Sequence, residues 1–326
     1  MPDASKQQSS GSFVTVVVAF GANLLVAIAK SFAALVTGSA SLTAEAAHSW
    51  ADTGNEIFLL IAERRSNKGP DDAHPYGYGR DVYVWSLFAA VGLFTVGAVV
   101  SIMHGITELS SDEPSENALI AYIVIGLSFI LEGISFLRSV RQLRGTAAEA
   151  DQEVLEHVLE TSDPTVRAVF FEDAAALIGL VLAAAGVFLH EITGSAVWDA
   201  IGSIAIGGLL AVIAVLLIQL NRRFLIGQSP SPRAMTAVLK LLADQDDVAS
   251  VSYLHIEYVG PSRVFLVAAV DLVGDAPEHE IAVRLAALGR LVERNEHVVE
   301  AVLTLSLPGA EPLIVRNGAT STQLPR

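Results

Sequence analysis

The sequence predicts an α-helical membrane protein: six transmembrane helices followed by a small cytoplasmic α+β domain, ordered α-β-β-α-β. Three observations carry that prediction. Of 326 residues, 52% are hydrophobic and 17% charged, whereas soluble domains typically carry about 25% charged residues; mean hydropathy is +0.52. Windows of about 20 mostly apolar residues, the length that crosses a bilayer, recur six times before Gln228. Beyond Gln228 the pattern switches to amphipathic helices and runs of β-formers.

The six windows are Phe13–Val36, Leu42–Ala62, Val82–Met103, Ala118–Leu137, Arg167–Leu189 and Ala196–Leu220. They divide the chain into an N-terminal tail (1–12), a membrane domain (13–225), an α+β domain (226–308) and a disordered tail (309–326). MPDASKQQSSGS is polar and passes straight into apolar sequence, which lacks the form of a cleavable signal. Lys6, Arg64, Arg65, Lys68, Arg80, Arg138, Arg141, Arg144, Arg222 and Arg223 all fall at the N-terminus, in the second and fourth loops, or after the sixth window. The other loops carry no Lys or Arg. Basic loops stay inside, so both termini are expected in the cytoplasm. The Ala-, Gly- and Val-rich composition points to a bacterial plasma membrane.

In the tail domain, SPSPRAMTAVLKLLADQDDV reads as a capped helix. VSYLHIEYV and RVFLVAAVDLV, separated by Gly260 and Pro261, read as a hairpin. Residues 277–295 give a second amphipathic helix and 298–307 a third strand, with both helices expected on one face of the sheet. The long stretch from Arg138 to Val166 carries a short apolar face at Leu155, Val158 and Leu159, expected as a helical hairpin. Small residues such as Ser203 and Gly207 are expected to pack helices closely.

Composition also excludes functions. The chain has no Cys, which removes disulfides, thiolate metal sites and thiol nucleophiles. With 35 acidic against 20 basic residues the net charge is -15, so nucleic acid has no electrostatic footing.

Ionisable residues inside a membrane are costly, about 2.5–3.5 kcal/mol at the bilayer centre on insertion scales, and so mark function. The second window, LTAEAAHSWADTGNEIFLLIA, places Glu45, His48, Asp52 and Asn55 at spacings of three, four and three. At 3.6 residues per turn these form one stripe. His48 and Asp52 can converge on one ion. The fifth window opens with Glu172 and Asp173 before 16 uncharged residues, Ala174–Leu189. Imidazole plus carboxylate suits a divalent cation such as Zn²⁺, and the same atoms take protons when no metal is bound. Against this stands the plainer reading that Glu45, Glu56, Glu132 and Asp199 are structural charges, with Lys30 available as a partner. Glu45, one turn from His48, is alternatively a proton relay.

TGSASLTAEAAHSWADTGNE, HPYGYGR (His74–Arg80), FFEDAAALIG, GSAVWDAIGSIAIGG and the α+β tail together resemble the cation diffusion facilitator family of six-span metal exporters. DPT (Asp163–Thr165) and the ED pair are similar to its zinc transporter nine branch. The resemblance implies a homodimer, a transport site between the second and fifth spans, and exchange of metal for protons. It implies His48 and Asp52 as the second-span ligands and Asp173 as a fifth-span ligand. The family's fifth-span imidazole is replaced here by Val169, so Glu172 or Asn55 is expected to stand in, and an oxygen-rich site would favour Mn²⁺ or similar harder ions. Of a second family site in the loop, Asp71 and His74 remain while a later His is Tyr78. His255, His279 and His297 are candidates for regulatory metal, with solvated surface histidines the plainer reading. The expected function is a zinc exporter; manganese, iron or cobalt export, a metal sensor and an intramembrane metallohydrolase are the alternatives.

Overall fold

The computed structural model describes residues 4–110, 117–149 and 152–313. It divides into two compact units: one holds the chain up to Glu63 together with Tyr83–Arg222, the other Arg64–Val82 and Arg223 onward.

The first unit is helical: α1 (Ala4–Thr37), α2 (Ala40–Ser66), α3 (Asp81–Gly92), a π-helical segment (Leu93–Val99), α4 (Val100–Glu108), α5 (Ala118–Glu149), α6 (Val154–Glu160), α7 (Pro164–Thr193) and α8 (Val197–Leu225). Among the described residues, five helical stretches are long and apolar enough to cross a membrane: Phe20–Thr37, Asp81–Glu108, Ala118–Ala148, Pro164–Thr193 and Val197–Leu225. The second predicted span, α2, forms as a 27-residue helix but falls outside that set, because Glu45, His48, Asp52, Asn55 and Glu56 dilute its apolar character. Leu42, Ala44, Leu93, Leu180, Ile206 and Leu210 lie in the shared core. Leu25, Phe32, Leu35, Leu127, Val181 and Phe188 stay exposed, as a lipid-facing surface requires.

Local chemistry explains the helix ends. Asp163 caps α7, its carboxylate accepting from the Thr165 and Val166 N–H groups, with Pro164 in the first turn. Gly194, at φ 71, ends α7 in the left-handed conformation that favours glycine. Ser203 Oγ donates to Ser101 O at 2.9 Å. Gly207 faces Ala98 and Ile102 so closely that a Cβ would collide with them. The small-residue contact expected of α8 is thus with the third span.

Four expectations are corrected. The N-terminal tail is helical from Ala4, because α1 extends beyond its apolar stretch; residues 1–3 lie outside the described residues. The helix of the fourth span does not stop at Leu137 but continues to Glu149, good helix formers carrying it on. The connection beyond it is therefore only α6, in which Val158 is buried while Leu155 is exposed. Residues 309–313 are not disordered: the Leu313 N–H donates to Val251 O at 2.8 Å. Leu313 also packs against the tail core. Residues 314–326, the rest of that expected tail, lie outside the described residues.

The second unit carries α9 (Pro232–Ala243), β1 (Val248–Gly260), β2 (Arg263–Leu272), α10 (Glu278–Val292) and β3 (Val298–Leu305). The sheet order is β1-β2-β3, with β1–β2 antiparallel and β2–β3 parallel. Alternate residues of β2 are buried, so one face is covered; α9 packs on β1 and α10 on β3. The segment after α2 belongs here. Arg80 donates to Tyr258 O at 2.9 Å and pairs with Glu257, while the Tyr76 ring sits 4.9 Å from Phe265.

Candidate metal centre

The polar stripe of α2 is real and inward-facing. Glu45 and His48 are fully buried, and Asn55 is 3% exposed. Two successive turns of the stripe have different fates. Glu45 accepts a 2.9 Å salt bridge from Lys30 of α1, both side chains fully buried, and Glu132 of α5 lies 3.6 Å from the same ammonium. Glu45 thus has the Lys30 partner that its reading as a structural charge anticipates. Glu56 is held by Asn23 Nδ2 at 2.6 Å.

One turn on, the pattern reverses. His48 Nδ1 stands 3.3 Å from Asp52 Oδ1. The approach lacks hydrogen-bond alignment, and both ring nitrogens of His48, Asp52 Oδ1 and Asn55 Oδ1 are buried without a hydrogen-bond partner. Buried polar atoms are nearly always satisfied. Four unsatisfied atoms of ligand type on successive turns of one helix form a donor set suited to a cation.

The α7 contribution departs from expectation. Asp173 was expected to meet His48 and Asp52; instead its carboxylate accepts from Ser135 Oγ of α5 at 2.9 Å. Neighbouring helical residues project about 100° apart, and here Glu172 and Asp173 bond different helices. Glu172 meets α2: Asn55 Nδ2 donates to its two oxygens at 2.5 and 2.7 Å, and Glu172 lies within electrostatic reach of Asp52. Among the described residues, no three His, Asp or Glu side chains are already gathered at ion-holding distance. The bundle thus holds His48 with Asp52 and Asn55 with Glu172, while Asp173 turns to α5. Sequence spacing placed Asn55 and Glu172 on the right helices; the bond between them and the role of Ser135 required tertiary packing.

The loop is a different case. Asp71 accepts from the Tyr78 hydroxyl at 2.7 Å and from the Ala73 and His74 N–H groups. The hydrogen bond from Tyr78 is the main cause that holds the Asp71 carboxyl below its ordinary value, and the same bond pushes the Tyr78 phenol up. Its acceptor capacity is spent on a turn. In the tail, His255, His279 and His297 are all exposed, and His297 Nδ1 bonds Ser262 O at 2.9 Å.

Comparison with known proteins gives concordant findings. Residues 16–226 match the cation efflux transmembrane domain family. The chain is 37% identical over 259 residues to metal tolerance protein C4 of Arabidopsis thaliana, covering 79% of this chain and 57% of that protein. It is 34% identical over 259 residues to the mitochondrial proton-coupled zinc antiporter SLC30A9 of Homo sapiens, covering 79% and 46%. It is 24% identical over 245 residues to the manganese efflux system protein MneP of Bacillus subtilis, covering 73% and 76%. The chain spans about half the length of the first two of these relatives.

Proposed function

The chain belongs to the cation efflux (cation diffusion facilitator) family, in its zinc transporter nine-like branch, and on that premise we propose that it exports zinc in exchange for protons. It does so by alternating access as a homodimer of six-span protomers, α2 completing the six as the second span with its polar stripe turned inward. Both termini lie on the cytoplasmic side of a bacterial plasma membrane. The site consists of His48, Asp52 and Glu172, with Asn55 aligning Glu172; Asp173 joins only when the bundle changes state.

One observation carries this reading: the buried, unpartnered ligand atoms of His48, Asp52 and Asn55, beside a carboxylate from another helix. Metal binding needs neutral imidazole and ionised carboxylate. Zinc and protons therefore compete for the same atoms, and exchange follows from that competition. Relatives named as a zinc antiporter and a metal tolerance protein support the cargo class. Manganese is the second reading, favoured by the oxygen-rich ligand set and by the relative named for manganese efflux.

The test is flux. Purified protein in liposomes with an internal zinc dye and an imposed pH gradient is expected to move zinc against an opposing proton movement. Zinc binding without flux would leave a sensor, and preferential movement of manganese would exchange the two cargoes. Light scattering in detergent is expected to give twice the protomer mass.

A further inference from the structure

Lys30 presents a combination the transport reading does not use. It is fully buried on α1, bonded to Glu45 at 2.9 Å and 3.6 Å from Glu132. Both carboxylates stand close to the candidate site. Glu45 lies three residues before His48 on the same stripe, and Glu132 lies within electrostatic reach of Asp52 and Asp173. Lys30 holds Glu45 Oε2; Oε1 lies against Gly179 of α7, where a Cβ would strike it, and is buried without a hydrogen-bond partner. Without a cation between them, two carboxylates so near a divalent-ion site would be drawn to the ion.

We propose that Lys30 is a specificity-determining residue: its ammonium withholds Glu45 and Glu132 from the transported ion. The ion then meets the His48 imidazole and the carboxylates of Asp52 and Glu172, without the two further carboxylates of Glu45 and Glu132. Zinc accepts such a set, whereas harder cations such as Mn²⁺ lose the additional oxygens they prefer. This inference rests on the transport reading and deepens it. Lysine suits the task because its ammonium has three donors and can serve two carboxylates at once.

The test compares Zn²⁺ and Mn²⁺ flux in liposomes for the wild type, for Lys30→Met, and for the charge-free triple variant Lys30→Met/Glu45→Gln/Glu132→Gln. The single variant is expected to lower the Zn²⁺/Mn²⁺ ratio about tenfold, the scale of a change around a bound metal; the triple variant is expected to restore it. A folded single variant with an unaltered ratio overturns the proposal. Removing one partner of a buried ion pair is strongly destabilising, so the triple variant also decides alone. Carboxylates already withheld are dispensable to selectivity, and a triple-variant ratio more than about threefold from wild type would mean that Glu45 or Glu132 touches the ion. A wild type that moves no metal would reject the transport reading itself, an outcome distinct from flux with an unaltered ratio.

Discussion

Two successive turns of α2 bury charge in opposite ways. At Glu45 the charge is answered within the protein: Oε2 bonds the Lys30 ammonium, while Oε1 sits against Gly179 without a hydrogen bond of its own. At His48, fully buried, and Asp52, whose side chain is 18% exposed, both imidazole nitrogens and Asp52 Oδ1 lack hydrogen-bond partners. An unpaired buried polar group costs about 1–3 kcal/mol, more when charged. Such a cost is retained where something outside the chain supplies the missing partner. Burial of an ionisable residue does not by itself mark a site; Glu45 has a cationic side chain bonded to it, whereas His48 and Asp52 bring three unbonded ligand atoms together.

The largest effect that would break this contrast is at Asp52. Asp52→Ala is expected to lower zinc flux about 100-fold or more, the upper range for groups around a bound metal, while the protein stays folded and the Lys30–Glu45 pair intact. Flux within about twofold of wild type would place the site elsewhere.

Next comes the division between neighbours on α7. Glu172→Gln is expected to weaken zinc binding about 10–100-fold by equilibrium titration, and Asp173→Asn by distinctly less, because Asp173 faces Ser135. The reverse order would mean that α7 turns on binding further than the described state shows.

The Glu45 turn should respond in stability rather than in ion handling. Gly179→Ala inserts a methyl against Glu45, and overpacking a well-filled interior costs about 1–3 kcal/mol. A lower thermal midpoint with an unchanged Zn²⁺/Mn²⁺ ratio is expected. An altered ratio with full stability would merge the two turns into one site.

The smallest effect is in the loop. Asp71, held below its ordinary value of 3.8 chiefly by Tyr78, contributes stability at higher pH that is lost as pH falls through its lowered folded value. Tyr78→Phe removes that hydrogen bond, so NMR titration of Asp71 should move up toward its ordinary value. An unmoved titration would assign the effect to the backbone N–H groups of Ala73 and His74.

Much of this was legible in the sequence, and the limits have physical causes. The tail order and the hairpin came through because period and turn chemistry are local signals, although Gly260 ends β1 and the turn itself is Pro261–Ser262. The Glu45–His48–Asp52–Asn55 stripe came through because 3.6 residues per turn fixes which residues share a face. The ends of α1 and α5 did not, since helix formers continue a helix where apolar counting stops. The Asn55–Glu172 and Ser135–Asp173 pairings depend on how α2, α5 and α7 face one another. The contact of the largely exposed Arg64–Val82 segment with the sheet, with Arg80 donating to Tyr258 O, joins residues 178 apart in sequence and leaves no periodic trace.

X-ray absorption at the zinc edge, on the purified zinc-loaded protein, looks at the ion's own neighbours. One imidazole nitrogen at about 2.0–2.1 Å beside carboxylate oxygens at about 2.0–2.2 Å, with the imidazole signal lost in His48→Gln, is the expected spectrum. A shell with several imidazoles, or one that His48→Gln leaves unchanged, would put the metal somewhere other than between α2 and α7.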